Sequence, residues 1–278
     1  MSDPIFARTR HQYDSYQDFW RLVELSGFDT CYVDEIDAAS DHTYIYTPNN
    51  GETMHGWPDA RARIIWYQLE WETHPNDTGP LPPGVAEKWT MDKWHADQIG
   101  AQYVPIGSHA ELAGYVGVNV DTGDDVYTPQ NPDGFYPKQF DVAYMAYMGP
   151  PRRQNIMNAI SRKGLRASPN GWGYARHDYL RYSRAMLHVH QHETVPGVAA
   201  LRVALAAAYS LPYISEQVAD QGIFSHTNML FSDYAHLADF AQQWVRDNKS
   251  RMLDDYGRAL HQLLCVEKPF RYWIEAAL

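Results

Sequence analysis

Residues 184–216 read RAMLHVHQHETVPGVAALRVALAAAYSLPYISE, and this stretch decides the fold. Met186 to His190 is an apolar run of strand length. Pro196 to Tyr209 carries Leu, Val and Ala at helical spacing, and Pro is a good first-turn residue. Pro212 to Ser215 is a second short apolar run. Strand, helix and strand over some thirty residues make a βαβ unit, which needs parallel strands with a helix on the sheet face.

The same alternation extends on both sides. Downstream, helical patterns cover Leu237 to Val245 and Ser250 to Leu264. Upstream, Phe140 to Met148 reads as a strand, Gly149-Pro-Pro-Arg-Arg153 opens a helix to about Lys163, Gly164 to Ala167 is a short strand, and a helix covers Ala175 to Tyr182. The segment 114–138 is rich in Gly, Asp, Pro and Asn and marks the boundary between two halves. Before it, Tyr16 to Leu25 is a helix stopped by Gly27. Strands are expected over 28–33, 43–47, 63–69, 88–91 and 102–106, with a short helix over Lys93 to Ile99. Pro48 to Gly51 reads as a turn and His74 to Gly84 as a loop. The expected class is α/β with two mostly parallel sheets, divided as residues 1–115 and 116–278.

Bulk properties narrow the function. The chain has 278 residues, of which 45% are apolar, and a net charge of −11. A negative surface repels phosphate backbones, which argues against general nucleic-acid binding. Two cysteines, Cys31 and Cys265, make no disulfide framework. The N-terminal MSDPIFARTR shows no apolar leader run, so a cytoplasmic location is expected. The longest apolar stretch, Gly197 to Ile214, holds Arg202, Ser210 and Pro212 and makes a poor membrane span. Twenty Tyr, nine Trp and nine Phe supply rings that pack cores and also line sugar or base pockets.

Four segments carry chemistry. In the first, His188, His190 and His192 alternate along a strand and share a face, and Glu193 ends it. Alternate residues lie about 6–7 Å apart, so one ion shared by all three needs a bend. The residues are open to three uses: metal ligands, satisfied core histidines, or a pocket in which one His or Glu193 touches substrate. The helix start at Pro196-Gly197 would turn N–H groups and a positive dipole end toward a diphosphate. In the second, Arg152 and Arg153 crowd a helix start, which suits either a bound anion or a solvated pair. In the third, Asn170 and Trp172 sit in a turn, where the ring either stacks on a base or plugs a gap. In the fourth, Ser215-Glu216 closes a strand and either accepts hydroxyls or caps the next helix. In the first half, Glu52, Gln68 and Glu70 lie at strand ends and would face the same cleft, as would Asp34, Glu35 and Asp92.

The strand RAMLHVHQHE, the helix VPGVAALRVALAAAYSLP and the strand YISE resemble the carboxyl-terminal half of GT-B glycosyltransferases. The likeness is to bacterial and phage proteins of the glycosyltransferase family 1 or spore-coat type. Residues 88–107, KWTMDKWHADQIGAQYVPIG, resemble the end of that family's first domain. The resemblance spans roughly Arg63 to Asp239. It implies two Rossmann-like domains facing a cleft, the first trimmed and on the acceptor side, the second holding a nucleotide-diphosphate sugar. It implies hexosyl or pentosyl transfer with no cofactor and no metal, positive groups steadying the leaving diphosphate.

By that resemblance Arg152 and Arg153 meet the diphosphate, as do Pro196 and Gly197. By the same resemblance Glu193 meets donor sugar or phosphate and Glu216 meets ribose or sugar hydroxyls; the strand-end and turn positions add Asn170, Trp172, His188 and Ser215 to the donor site and His190 beside Glu193 at the chemistry. Retaining members of the wider superfamily often have two glutamates separated by seven residues; here Leu201, with Arg202 next, stands at that distance from Glu193, and Ala199 stands where relatives have a Glu three residues before this Arg. The acceptor stays open among a glycan, a small molecule, a protein and a modified DNA base. Two further readings remain: a nucleotide-sugar-binding module without turnover, and a metal hydrolase built on the histidines.

Overall fold

The computed structural model describes residues 3–10, 16–48, 56–69, 81–114, 138–169, 175–193, 197–227, 229–246 and 250–278. The first half contains β1 (Ile5–Arg8), α1 (Gln17–Leu25), β2 (Asp29–Tyr32), β3 (Thr43–Thr47), β4 (Arg63–Gln68), β5 (Val85–Thr90), α2 (Lys93–Ile99) and β6 (Gln102–Tyr103). Its six strands are all parallel, in the order β2-β1-β3-β4-β5-β6. Among the described residues no α-helix lies in the β2–β3, β3–β4 or β4–β5 crossovers.

The second half contains β7 (Phe140–Tyr144), α3 (Pro151–Arg162), α4 (Ala175–Arg181), β8 (Ser183–His188), α5 (Ala200–Ala208), β9 (Tyr213–Glu216), β10 (Leu230–Ser232), α6 (Leu237–Arg246) and α7 (Ser250–His261). Four parallel strands run in the order β10-β9-β8-β7. A π-helical stretch, Gln262–Glu267, then leads to α8 (Phe270–Ala277). No helix of the described residues is long and apolar enough to cross a membrane.

Several boundaries differ from expectation for local reasons. β7 ends at Tyr144 rather than Met148, because Arg153 takes the Tyr147 carbonyl and Pro150 and Pro151 bring no N–H to a ladder. β6 stops at Tyr103, two residues before Pro105. β5 starts three residues earlier than expected, at Val85, and β1 was not expected because four residues give too short a pattern. Gly164 to Ala167 contributes one bridge, Ala167 to Val142, and no strand. α5 begins at Ala200, not Pro196: the Val198 N–H turns to a carboxylate, and Ala200 N–H bonds the Val198 carbonyl at 2.8 Å.

One buried core joins both halves, running from Phe6, Phe19 and Tyr67 to Met186, Val203 and Tyr213. α5 fits it because six of its nine residues are Ala or Val, and its backbone can be approached closely. The Ser108 hydroxyl reaches the Ala204 carbonyl at 2.7 Å. α8, grouped by chain order with the second half, packs on the first: Phe270 lies 5.8 Å from Phe6, 5.8 Å from Phe19 and 6.1 Å from Phe28 between ring centroids. Gly107 makes that return possible. A Cβ there would stand 2.4 Å from the Phe270 nitrogen.

Candidate active site at the facing strand ends

The carboxyl ends of the two sheets meet. Asp92, just past β5, caps α2 by accepting the His95 N–H at 2.7 Å, and its other oxygen accepts the Val198 N–H of the second half at 2.6 Å. Burial pushes its carboxyl up to about 6. Tyr103 Oη accepts the Ile223 N–H at 3.3 Å across the same seam. A second junction is charged. Asp18 of α1 is fully buried against Arg176 (2.6 Å) and His177 (2.9 Å) of α4, and His177 Nδ1 stands 2.5 Å from the Tyr209 hydroxyl. The arginine and the His177 hydrogen bond hold Asp18 below the usual carboxylate range, although burial acts in the opposite sense.

On the second half, one arginine spans the strand ends. Arg152, in the first turn of α3, bonds both Glu216 oxygens with its two terminal nitrogens, one at 2.5 Å. Its guanidinium lies 3.9 Å over the Tyr234 ring, and the Tyr234 hydroxyl returns a bond to the Arg152 carbonyl at 2.9 Å. Glu193, largely exposed, stands 3.7 Å from Arg152 Nε. The fork on Glu216 is the planar match that arginine makes with carboxylates, and it raises the Arg152 pKa.

Arg153 departs from its expected place beside the anion. It is buried, and its guanidinium holds the Val189 carbonyl at 3.1 Å and the Tyr147 carbonyl at 3.0 Å. It braces the ends of β7 and β8. Two donors fixed on carbonyls are committed to the frame, which explains why two adjacent arginines divide into one facing the cleft and one facing inward.

The histidines also divide. His188 is buried and stacked on Tyr213, with ring centroids 6.1 Å apart. Its Nδ1 lies 3.1 Å from Arg202 Nη1. Since arginine only donates, Nδ1 accepts and the proton sits on Nε2. Burial, then Arg202, drives its pKa well below the ordinary value. His190 sets Nε2 3.0 Å from the Gln217 carbonyl, and its backbone N–H donates to Glu216 at 3.2 Å. Burial lowers its pKa too, against the pull of Glu216. His192 is exposed. Among the described residues no three His, Cys, Asp or Glu side chains gather in a metal-holding group.

Other expected residues fall as follows. Ser215 and Glu216 are buried at the end of β9, and the Ser215 hydroxyl bonds the Glu216 carbonyl at 2.9 Å. Gln68 closes β4 and is buried. Gly197 precedes α5. Asp34 and Glu35 pair with Arg10. Glu52, Glu70, Asn170, Trp172 and Pro196 lie outside the described residues. Arg202 and Tyr234 are the side chains that sequence reasoning passed over. Arg202 carried a signal, a charge inside the apolar stretch 197–214; Tyr234 carried none.

Sequence comparison matches no family model and no curated protein. Solved structures do match. AviGT4, a glycosyltransferase involved in avilamycin A biosynthesis, superposes with a TM-score of 0.61 at 13% identity, covering 99% of this chain and 96% of that one. The chain has the GT-B fold. T4 phage BGT in complex with UDP and Mn2+ gives 0.54 at 12% identity, covering 99% and 98%. The DNA-modifying β-glucosyltransferase, solved with and without uridine diphosphoglucose, gives 0.53 at 11%, with the same coverage. Such low identity carries architecture and no side-chain roles. The GT-B cleft of this chain is the one whose walls are described above.

Proposed function

We propose that this chain is a glycosyltransferase that takes a hexosyl or pentosyl group from a nucleoside-diphosphate sugar bound at the strand ends of the second half. The observation that supports this best is two arginines beside the ends of β8 and β9, Arg152 bonded to Glu216 and stacked on Tyr234, and Arg202 bonded to neutral His188. Ligands of open parallel sheets bind at the carboxyl ends of strands. Two oriented guanidinium groups there oppose the charge that grows on a departing diphosphate. In this reading Arg152 and Arg202 hold the diphosphate without a metal, and Glu216 and Ser215 meet sugar or ribose hydroxyls. Gly197 leaves the backbone before α5 open to close approach. Glu193 and His190 flank the reacting carbon. Gln68 lies on the acceptor wall with Glu52 and Glu70, and Asn170, Trp172 and Pro196 keep the donor-side places expected from the sequence. The division of labour is residues 1–115 for the acceptor and 116–278 for the donor, in a cytoplasmic protein.

The test is calorimetry with a panel of nucleoside diphosphates, followed by turnover of the matching nucleotide sugars after exhaustive chelation. Binding in the micromolar range and turnover that survives chelation are expected. No binding of any nucleoside diphosphate sinks the reading; turnover abolished by chelation and restored by manganese sinks its metal-free part. A DNA-base acceptor is the second reading, favoured by the fold shared with a DNA-modifying glucosyltransferase and opposed by the charge of −11. Labelled donor supplied with duplex DNA and with a small-molecule extract decides between them.

A further inference from the structure

Three unused polar groups come together at the carboxyl end of β1, on the first-half wall of the cleft. Arg8 is the last residue of β1, in register with Tyr32 of β2 and Thr47 of β3. Its guanidinium lies 5.6 Å from the Trp20 ring centroid and 5.4 Å from that of Tyr32. Among the described residues it makes no ion pair and no hydrogen bond. The nearest carboxylates are committed elsewhere. Asp34 and Glu35 pair with Arg10, which covers Tyr32 at 4.3 Å, and Glu35 also accepts the Tyr32 N–H at 2.8 Å. The Trp20 indole N–H and the Thr47 hydroxyl are both buried and both without a partner among the described residues.

This combination needs a ligand to make sense. The chain carries 34 acidic against 23 basic side chains, yet among the described residues none pairs with this guanidinium. Stacking on aromatic rings uses the face of a guanidinium and leaves its edge N–H donors free. A buried donor without an acceptor is costly to leave unsatisfied, and two stand beside the arginine. All three groups offer protons, so the missing guest is rich in acceptor oxygens. The corner lies at the carboxyl end of the first sheet, the end at which Asp92, just past β5, accepts the Val198 N–H of the second half.

We propose that Arg8, Trp20 and Thr47 form an anion-holding corner that fixes a carboxylate or phosphate group carried by a small acceptor. The corner fixes one end of the acceptor so that a hydroxyl elsewhere on it meets the donor sugar. It lies on the opposite wall from Arg152 and Arg202, so it selects the acceptor and leaves donor affinity alone. The inference rests on the donor–acceptor reading of the cleft.

The test follows the Arg8 Nε–H resonance of the full chain by nitrogen–proton NMR, assigned by its loss in Arg8→Gln. Inorganic phosphate, glucuronate and, as the neutral control, glucose are titrated in turn. The Arg8 peak is expected to move with phosphate or glucuronate and to stay still with glucose, and the anion that moves it at the lower concentration identifies the source. A peak that moves with neither anion overturns the proposal, whatever happens to the resonances of Arg152 and Arg202. Short duplex DNA that moves the peak at lower concentration than phosphate overturns the small-acceptor assignment. Arg8→Gln is expected to bind nucleoside diphosphate within twofold of the parent. Calorimetry of the parent with the same nucleotide separates failure of this corner from failure of the proposed function.

Discussion

The two walls of the cleft are built differently. On the second-half wall each arginine has an acceptor, Arg152 in Glu216, Arg202 in His188 and Arg153 in backbone carbonyls, while His188 Nε2 and the Tyr144 and Tyr213 hydroxyls have none among the described residues. On the first-half wall Arg8, Trp20 and Thr47 hold donors without acceptors among the described residues, and Asp92 is spent on the seam between the halves. A paired wall has its side chains in place before a ligand arrives, which suits a charged diphosphate that needs preorganised donors. An unpaired wall waits for its partner to be supplied by the guest. The comparison assigns the stiffer requirement to the donor side and the more selective one to the acceptor side.

The comparison depends on the two walls staying aligned, and the Asp18 junction is the first place to break it. Asp18→Asn takes from buried Arg176 its carboxylate partner, and removing one charge of such a pair costs about 3–5 kcal/mol. A melting temperature lower by roughly 10 °C is the expected outcome in calorimetric scans; an unchanged melting point contradicts the buried pairing. Next is Glu216→Ala. It frees Arg152 and removes the hydroxyl acceptor, so nucleoside-diphosphate affinity should fall about 100-fold, equivalent to about 2.7 kcal/mol. A value within threefold of the parent, measured by calorimetry on folded protein, would remove Glu216 from the donor wall.

The seam responds to pH with a sign that can be worked out. Asp92 rises to about 6 in the folded chain, against about 3.9 when free. The folded state therefore binds the proton more tightly, and this group's contribution to stability declines as pH rises from about 4 to 6, by about 3 kcal/mol in all. His95 acts oppositely. Burial and Lys88 lower it to about 4, so its contribution is lost as pH falls from about 6.5 toward 4. Denaturant unfolding at several pH values should show Asp92→Asn gaining stability relative to the parent as pH increases across that window. A constant difference between the two proteins would refute it. The smallest effect is expected at His188→Gln, which loosens Arg202 without removing it. Nucleotide affinity about tenfold weaker with a nearly unchanged pH profile is expected; a profile shifted by a full unit would give His188 a proton-transfer role instead.

Much of the architecture was legible because it rests on local periodicity. Thr43–Thr47 and Lys93–Ile99 were readable to the residue, since alternating β-branched and aromatic residues and an Asp-to-Gly pair of helix caps are local signals. The parallel order of the second sheet was implicit in its βαβ units. β1, α8 and the start of α5 were not legible. Each is fixed by a distant partner: β1 by β2 and β3, α8 by Phe6, Phe19 and Phe28, and the turn before α5 by Asp92, 106 positions away.

The candidate site divides along the same line. The sequence by itself placed Glu216 at a strand end, His188, His190 and Glu193 at or just past another, and Arg152 at a strand-to-helix turn, because these follow from local pattern. Only the tertiary structure decided which of two adjacent arginines turns inward, that Glu216 is Arg152's partner, and that Arg8 has none among the described residues. Pairing across 64 residues, or its absence, is settled by how separate segments pack around a shared core, and no window of local sequence holds that information.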